Sequence, residues 1–332
     1  MDNPRLFAVA GNPVLTSKSP LMFRRAFEAA GVNAVYIRLA MRDAGETAQT
    51  IRELGISGAT IATPFREEII PFLNKLDKSA RKTGAANIVV NDGGSLTGYN
   101  TERENTDATP TANGGAMDGG DGRKAEAADR LLAENARAFR IFTGREAPLK
   151  EMEKALHEDD RPHPHRICVI GFMGAGKSSI GPAVAVKLSM PHVDVDASIE
   201  RKTGRTISQI FTESGEEVFR RHEKSEIEGI LGLSRCVVAA GGGSVLDRDS
   251  AKNMKDSCLV VWLFAGLNET RRRVGADSSR PLALGRKTLD ELFTGRIPAY
   301  ARTCHLLVKT DEASIDEVAE RIVYESDKAF GG

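Results

Sequence analysis

Residues 171–178 read GFMGAGKS, and the five residues before them, 166–170, read RICVI. The first stretch matches the phosphate-binding pattern G-x-x-x-x-G-K-[ST], and the second is an apolar run typical of a buried strand. Residues 177–188 predict a helix, so the pattern stands in the strand–loop–helix context that it requires. A chance glycine-rich loop rarely has this context, and the stretch therefore predicts a nucleotide-binding α/β domain.

The residue types of the loop suit the binding of phosphate groups and Mg²⁺. Glycine lets main-chain N–H groups point inward at phosphate oxygens, and the following helix N-terminus adds a positive dipole end. Lys177 would reach the β- and γ-phosphates, and the Ser178 hydroxyl would be a ligand of Mg²⁺. Pro182 falls inside the predicted helix, where its missing N–H predicts a bend near the second turn. The other ATP-binding candidates in this stretch are Gly174, Ala175, Gly176 and Ser179.

Length and composition limit the class of protein. The 332 residues, 41% of them hydrophobic, suffice for about two domains with separate cores. Basic and acidic residues number 46 each, so the zero net charge predicts neither a nucleic-acid partner nor an acidic membrane. The first residues offer neither a basic n-region nor a spanning apolar run, which predicts no signal peptide and no membrane span. Four scattered cysteines without metal-type spacing favour a reducing cytoplasm.

Polar motifs follow the phosphate loop in order. Residues 192–196 (HVDVD) predict a strand end with Asp194 and Asp196 on one face, one suited to Mg²⁺ and the other to a substrate hydroxyl. Residues 218–223 (VFRRHE) predict a helix with Arg220 and Glu223 on one side. A buried strand then ends in GGG at 241–243, which allows close approach of a ligand to the backbone.

Residues 166–332 resemble shikimate kinase. The phosphate loop, D-x-D, F-R-x-x-E, G-G-G, a lid R-P at 280–281 and R-x-P-x-Y at 296–300 occur in the order of that family. The resemblance implies that ATP and Mg²⁺ are the cofactors, that shikimate is the substrate, and that the γ-phosphoryl group passes to its 3-hydroxyl. Asp196 would orient that hydroxyl and accept its proton, and Asp194 would bind Mg²⁺ through water. The resemblance implies these further roles: Arg220 and Arg296 hold the substrate carboxylate, Gly241, Gly242 and Gly243 lie against the substrate, Arg273 stacks on adenine, and Arg280 closes over the transferring phosphoryl group.

Residues 1–102 alternate predicted strands and helices, which indicates a small α/β domain. Strands are predicted over 6–10, 32–39 and 59–62, and a hairpin over 86–99 turns at DGG. Helices are predicted over 44–54 and from SP at 19–20, with Ser19 as N-cap and Pro20 in the first turn.

Three stretches of this half resemble the substrate-binding domain of shikimate dehydrogenase: 11–21 (GNPVLTSKSPL), 63–69 (TPFREEI) and 83–102 (TGAANIVVNDGGSLTGYNTE). The resemblance implies that Ser17 and Ser19 hold a substrate carboxylate and that Asn87 is a further ligand contact. The family has a catalytic lysine where this sequence has an arginine, at position 66. Arginine keeps its charge and exchanges a proton poorly, so dehydrogenase activity is not expected. Four family positions are replaced here: the catalytic lysine by Arg66, its aspartate by Glu102, a threonine by Ala62 and a glutamine by Glu134. Arg66 and Glu102 are still expected to hydrogen-bond the ring of a bound ligand.

The nucleotide-binding middle of that family has no counterpart here. Residues 131–156 resemble its closing helices, whereas 103–128 are predicted to be a Gly-, Thr- and Asp-rich loop. A dinucleotide domain needs several βαβ units of roughly 30 residues each. No G-x-G-x-x-G follows a strand anywhere in the sequence. We therefore predict that an NADP-binding domain is missing.

The predicted organisation is a dehydrogenase-like substrate-binding domain over 1–157 with closing helices at 129–157, a charged linker over 158–165, and a kinase domain over 166–332. The kinase domain is predicted to have a parallel sheet flanked by helices. Two other functions stay open: a bifunctional shikimate dehydrogenase and kinase, and another P-loop kinase, for gluconate or a nucleoside monophosphate, with an N-terminal binding module. The N-terminal domain itself is predicted to bind shikimate, to mediate self-association, or to be a relic.

Overall fold

The chain divides into two compact units, Met1–Asp160 and Arg161–Gly332. The computed structural model describes residues 3–101, 121–158, 162, 165–275 and 288–331. Within these ranges, no helix is both long enough and apolar enough to cross a membrane.

The first unit mixes strands and helices, as the sequence predicts. Its described strands are β1 (Arg5–Gly11), β2 (Ala34–Ala40), β3 (Gly58–Ile61), β4 (Lys75–Leu76), β5 (Ile88–Asp92) and β6 (Ser95–Tyr99). Its described helices are α1 (Ser19–Ala30), α2 (Ala44–Glu53), α3 (Phe65–Glu68), α4 (Lys78–Thr83), α5 (Asp121–Thr143) and α6 (Leu149–His157).

The strands of this unit follow the order β4-β6-β5-β3-β1-β2. β1 is parallel to β2 and β3, whereas β5 is antiparallel to β3 and forms the predicted hairpin with β6. Aromatic rings from β1, α1 and α5 pack together in the core. The ring of Phe7 lies 5.1 Å from that of Phe142, and the ring of Phe27 lies 5.8 Å from that of Phe139. Because Phe139 and Phe142 belong to α5, this closing helix is part of the core.

Two helix starts differ from the prediction. α1 begins at Ser19 itself, its N-cap is Lys18, and no side chain caps it, so the expected Ser19 cap is wrong. Ser17 Oγ instead accepts a hydrogen bond from the Ser19 N–H at 3.3 Å. α5 begins at Asp121 and therefore covers the end of the segment 103–128 that the sequence predicts to be a loop.

The second unit is a parallel α/β domain, as predicted. Its described strands are β7 (Arg166–Ile170), β8 (His192–Asp194), β9 (Cys236–Ala239), β10 (Leu259–Phe264) and β11 (Leu306–Lys309). Its described helices are α7 (Lys177–Leu188), α8 (Val195–Thr203), α9 (Ile207–Leu231), α10 (Arg248–Ser257), α11 (Leu267–Gly275), α12 (Leu289–Thr303) and α13 (Ile315–Phe330).

The strand order β11-β10-β7-β9-β8 is parallel throughout. The three strands β9, β10 and β11 are buried along their whole length, as expected for a parallel sheet covered on both faces. The phosphate loop follows β7, Asp194 ends β8, and the glycines 241–243 follow β9. Since the carboxyl ends of parallel strands meet at one edge, these motifs lie side by side there.

Two helices of this unit contain an irregular residue. α7 continues through Pro182 to Leu188, so the proline does not end the helix, and the bend near it stays a prediction. α9 is interrupted at Gly215, whose φ of 83° and ψ of 168° are not helical. The break separates two helical pieces, of which the second carries Arg220 and Glu223.

Candidate active site

A cavity of about 370 Å³ lies at the carboxyl edge of the second sheet. Its walls come from the phosphate loop, the β8–α8 junction, α9, the segment after β9, α11 and α12. Ala175 is buried, and Arg280 lies outside the described residues. The predicted site residues that line the cavity are Gly174, Gly176, Lys177, Ser178, Ser179, Asp194, Asp196, Arg220, Gly241, Gly242, Gly243, Arg273 and Arg296.

The phosphate loop has the backbone that its glycines permit. Gly174 has a φ of 76° and Gly176 a φ of 92°, a region that side chains with a Cβ rarely adopt. Lys177 Nζ donates to the carbonyl oxygens of Gly171 at 2.9 Å and Phe172 at 3.1 Å. The ammonium group therefore lies against the loop that is predicted to hold the phosphates.

Asp194 and Asp196 both line the cavity, but they do not share a strand face. Asp194 ends β8 and caps α8 by accepting a hydrogen bond from the Ala197 N–H at 3.1 Å. Asp196 therefore lies in the first turn of α8, and the prediction that placed it on the strand is wrong. With Asp194 as its N-cap, the helix begins at Val195, one residue before Asp196.

The donor set of the cavity fits Mg²⁺. The Ser178 hydroxyl and the Asp194 carboxylate both border the cavity and offer the hard oxygen donors that Mg²⁺ prefers. Protein sites for Mg²⁺ usually offer one or two carboxylates and complete the coordination with water and substrate phosphates. In the described part of the chain, no group of three His, Cys, Asp or Glu side chains is placed to hold a metal ion.

The guanidinium group of Arg220 is held by two carboxylates. Its Nη1 donates to Glu223 Oε2 at 2.7 Å, and its Nε and Nη2 donate to Glu216 Oε1 at 3.3 and 3.0 Å. Glu223 also accepts a hydrogen bond from Ser244 Oγ at 2.6 Å. Burial alone would lower the pKa of Arg220, but the charges of Glu223 and Glu216 outweigh it and raise that pKa. The guanidinium group of Arg220 thus stays protonated and is held in place at the cavity wall.

The glycines after β9 make room for this ion pair. A Cβ on Gly241 would lie 2.2 Å from Glu223 Oε1, and a Cβ on Gly243 would lie 2.4 Å from Arg220 Nη1. The sequence predicts that these glycines admit a ligand. The structure shows that at least two of them also admit the side chains that hold the site together.

Arg296 reaches the same cavity from α12. Its Nη1 donates to the Gly242 carbonyl oxygen at 3.4 Å, and its guanidinium carbon lies 5.3 Å from the ring centre of Phe172. Tyr300, one turn further along, donates its hydroxyl to the same carbonyl oxygen at 2.6 Å. Burial raises the pKa of Tyr300 to about 12, so the hydroxyl keeps its proton at neutral pH. Two guanidinium groups from different helices therefore border one cavity.

Hydrogen bonds fix Arg273 beside the phosphate loop. Its Nε donates to Glu269 Oε1 at 2.6 Å, and its Nη1 and Nη2 donate to the Gly174 carbonyl oxygen at 3.0 Å and the Thr310 carbonyl oxygen at 2.8 Å. Hydrogen bonds from Arg272 and Arg273 lower the pKa of Glu269 to about 2. These bonds occupy the edges of the guanidinium group of Arg273, which lines the cavity.

The sequence-based prediction missed an apolar part of the cavity wall. Ile207, Phe211 and Phe219 line it, and the rings of Phe211 and Phe219 lie 4.8 Å apart across the break in α9. Phe219 is the aromatic residue of F-R-x-x-E and could have been found from that motif. Ser244, which holds Glu223, gave no signal beyond its place after the glycines.

The candidate ligand-binding residues of the first unit contact different partners. Arg66 Nη2 lies 3.9 Å from Glu134 Oε2, and Arg66 Nε donates to the Ile61 carbonyl oxygen at 3.0 Å. Asn87 is 5% exposed and exchanges hydrogen bonds with Thr101. Arg66 and Glu134, both replacements relative to the dehydrogenase pattern, therefore form an ion pair. Ser17 and Ser19 meet at the start of α1, and Glu102 lies outside the described residues.

Comparison with known proteins finds two families. The profile described as shikimate kinase matches residues 173–326, and the profile described as shikimate dehydrogenase substrate binding domain matches residues 9–89. The shikimate kinase of Thermobifida fusca is 40% identical over 159 residues, which are 47% of this chain and 92% of that protein. That of Persephonella marina is 38% identical over 158 residues, 47% of this chain and 96% of that protein.

Similar solved structures come from both families. Shikimate kinase from Acinetobacter baumannii in complex with shikimate is 31% identical, with a TM-score of 0.45, and the match covers 48% of this chain and 90% of that one. Shikimate 5-dehydrogenase from Thermus thermophilus in complex with shikimate is 18% identical, with a TM-score of 0.37, covering 46% of this chain and 97% of that one.

Proposed function

This chain belongs to the shikimate kinase family, and we propose that the cavity of its second unit is the active site of that reaction. The enzyme uses ATP and Mg²⁺, and its substrate is shikimate. One observation carries the assignment of the site: the phosphate loop, Asp196 and two arginines, which are far apart in sequence, border a single cavity. In that cavity the γ-phosphoryl group of ATP passes to the 3-hydroxyl of shikimate.

The substrate carboxylate binds Arg220 and Arg296. A planar guanidinium group offers paired N–H donors that match the two oxygens of a carboxylate. Glu223 orients Arg220 through a hydrogen bond, and the Gly242 carbonyl oxygen and the Phe172 ring orient Arg296. Two arginines on one carboxylate fix the ring in a single orientation, which brings one hydroxyl toward the phosphate loop.

Asp196 accepts a hydrogen bond from the reacting hydroxyl and takes its proton as the oxygen attacks the phosphoryl group. Lys177 and the loop N–H groups stabilise negative charge on the phosphates. Ser178 and Asp194 would hold Mg²⁺, which neutralises phosphate charge when bound. Arg280 is proposed to close over the phosphoryl group and Arg273 to stack on the adenine.

The variant Asp196→Asn tests this assignment, because it keeps the size of the side chain and removes the proton acceptor. We expect kcat to fall by at least ~30-fold, or ~2 kcal/mol of transition-state stabilisation. Asp256→Asn is a matched control, since Asp256 lies on α10 and pairs with Lys252. Turnover of Asp196→Asn close to that of the control would contradict the role of Asp196.

For the first unit we propose binding of a shikimate-like ligand without turnover. Support comes from the hydroxyl of Ser19, which does not cap α1, and from the hydroxyl of Ser17, which lies beside the start of that helix. Calorimetric titration of the whole chain with shikimate should then show two sites, and Ser17→Ala with Ser19→Ala should remove one. A single site in the unaltered chain would contradict ligand binding by this unit.

Two further proposals concern the state of the protein in the cell. Self-association through the first unit is the alternative role for that unit, and sedimentation of the whole chain tests it. A concentration-independent monomer would contradict it. A cytoplasmic location is supported by the four cysteines, which are buried thiols not joined in disulfides. Fractionation of the source cells would test that location.

A further inference from the structure

Arg220 makes its two carboxylate contacts through different parts of the guanidinium group. Nη1 donates to Glu223, whereas Nε and Nη2 both donate to one oxygen of Glu216, at 3.3 and 3.0 Å. Nε and Nη2 lie along one edge of the planar group, with their N–H bonds parallel. Such an edge is what a carboxylate ligand uses for two hydrogen bonds. Glu216 therefore occupies an edge suited to the carboxylate of a substrate.

The two glutamates differ in how firmly they are placed. The Glu223 side chain is 3% exposed and is held by Ser244, whereas the Glu216 side chain is 64% exposed. Glu216 also follows Gly215 directly, at the break in α9. Exposed ion pairs four residues apart on a helix contribute little and exchange readily with solvent and ions. Glu223 is thus a permanent partner of Arg220, and Glu216 is a replaceable one.

We propose that Glu216 is an internal competitor of the substrate carboxylate for Arg220. This inference rests on the proposed function, in which Arg220 binds that carboxylate. A substrate that binds through the Nε–Nη2 edge displaces Glu216, and one carboxylate replaces another. Breaking the hydrogen bonds between Arg220 and Glu216 costs free energy, and this cost weakens the binding of substrate. Glu216 therefore sets KM without touching the reacting atoms.

The test compares Glu216→Gln with Glu217→Gln by steady-state kinetics on the whole chain with shikimate. Both variants remove one negative charge from exposed, adjacent positions of α9, so they share any general electrostatic effect on an anionic substrate. Of these two glutamates, Glu216 is the one with described hydrogen bonds to Arg220. We expect Glu216→Gln to lower KM at least about threefold with kcat unchanged, and Glu217→Gln to leave KM close to its original value.

Arg220→Lys separates the failure of this inference from the failure of the proposed function. Lysine keeps the charge but lacks the planar fork, so KM should rise. An unchanged KM in Arg220→Lys would overturn the role of Arg220 itself. If Arg220→Lys raises KM, an unchanged or raised KM in Glu216→Gln overturns the competition alone. Equal decreases in both glutamine variants would also overturn it, because they would show a general charge effect.

Discussion

Arg220 Nη1 donates a hydrogen bond to Glu223 Oε2 at 2.7 Å, and the Glu223 side chain is only 3% exposed. The other oxygen of Glu223 accepts from Ser244, and the absence of side chains at Gly241 and Gly243 leaves space for the pair. A buried carboxylate thereby fixes the arginine that we assign to the substrate carboxylate. The position of this arginine depends on α9 and on the segment after β9 together.

The first prediction follows from this pair. Glu223→Gln keeps the shape of the side chain but removes the charge that holds Arg220. We expect KM for shikimate to rise at least about tenfold, or ~1.4 kcal/mol, with a smaller effect on kcat. Glu213→Gln, on the exposed part of α9, is the control, and circular dichroism checks that both variants fold. An unchanged KM in folded Glu223→Gln would show that Arg220 does not depend on Glu223.

The second prediction concerns Lys177. Replacing it with alanine removes the positive charge at the phosphates, so kcat should fall by at least ~30-fold, or ~2 kcal/mol. Lys187 lies on the same helix, and its described ion pairs are with Asp316 and Glu320, so Lys187→Ala should stay near the original rate. Single-turnover measurements with saturating ATP distinguish a chemical effect from weak binding. A comparable rate in both variants would be evidence against the assigned role.

The third prediction is that the whole chain forms no NADPH when given shikimate and NADP. Hydride transfer needs a bound dinucleotide, and the segment 103–128 is too short for a dinucleotide domain. Arg66→Lys should not rescue the activity, because it restores only a proton-transfer group. Absorbance of NADPH is the measurement, and kinase activity of the same sample shows that the protein is folded. NADPH formation by either protein would revive the bifunctional alternative.

Much of the kinase fold could be predicted because its signals are local. The phosphate loop is one contiguous pattern, and the parallel sheet follows from buried strands that alternate with helices. The position of Asp196 could not be predicted, since the hydrogen bond from the Ala197 N–H to Asp194 starts a helix where the alternation suggests a strand. The sequence also places the start of α1 one residue too late, because Ser19 is of a type that often caps a helix, whereas no side chain caps this one.

The contacts that shape the candidate site were harder to predict. Glu216 and Arg220 are four residues apart on α9, a spacing that allows a pair on a helix, but the sequence does not show that both Nε and Nη2 donate to one oxygen of Glu216. The close approach of Gly241 to Glu223 joins residues from two elements and has no periodic signal. Sequence patterns therefore indicated which residues line the cavity but not which side chains hold them in place.

The most direct test of the account is a coupled assay of ADP release by the whole chain. Shikimate, gluconate and nucleoside monophosphates are each supplied with ATP and Mg²⁺ at equal concentrations. We predict ADP release that depends on shikimate, with the product carrying phosphate on the 3-hydroxyl, and no comparable release with the other acceptors. Release with gluconate or a nucleoside monophosphate, and none with shikimate, would contradict the central claim.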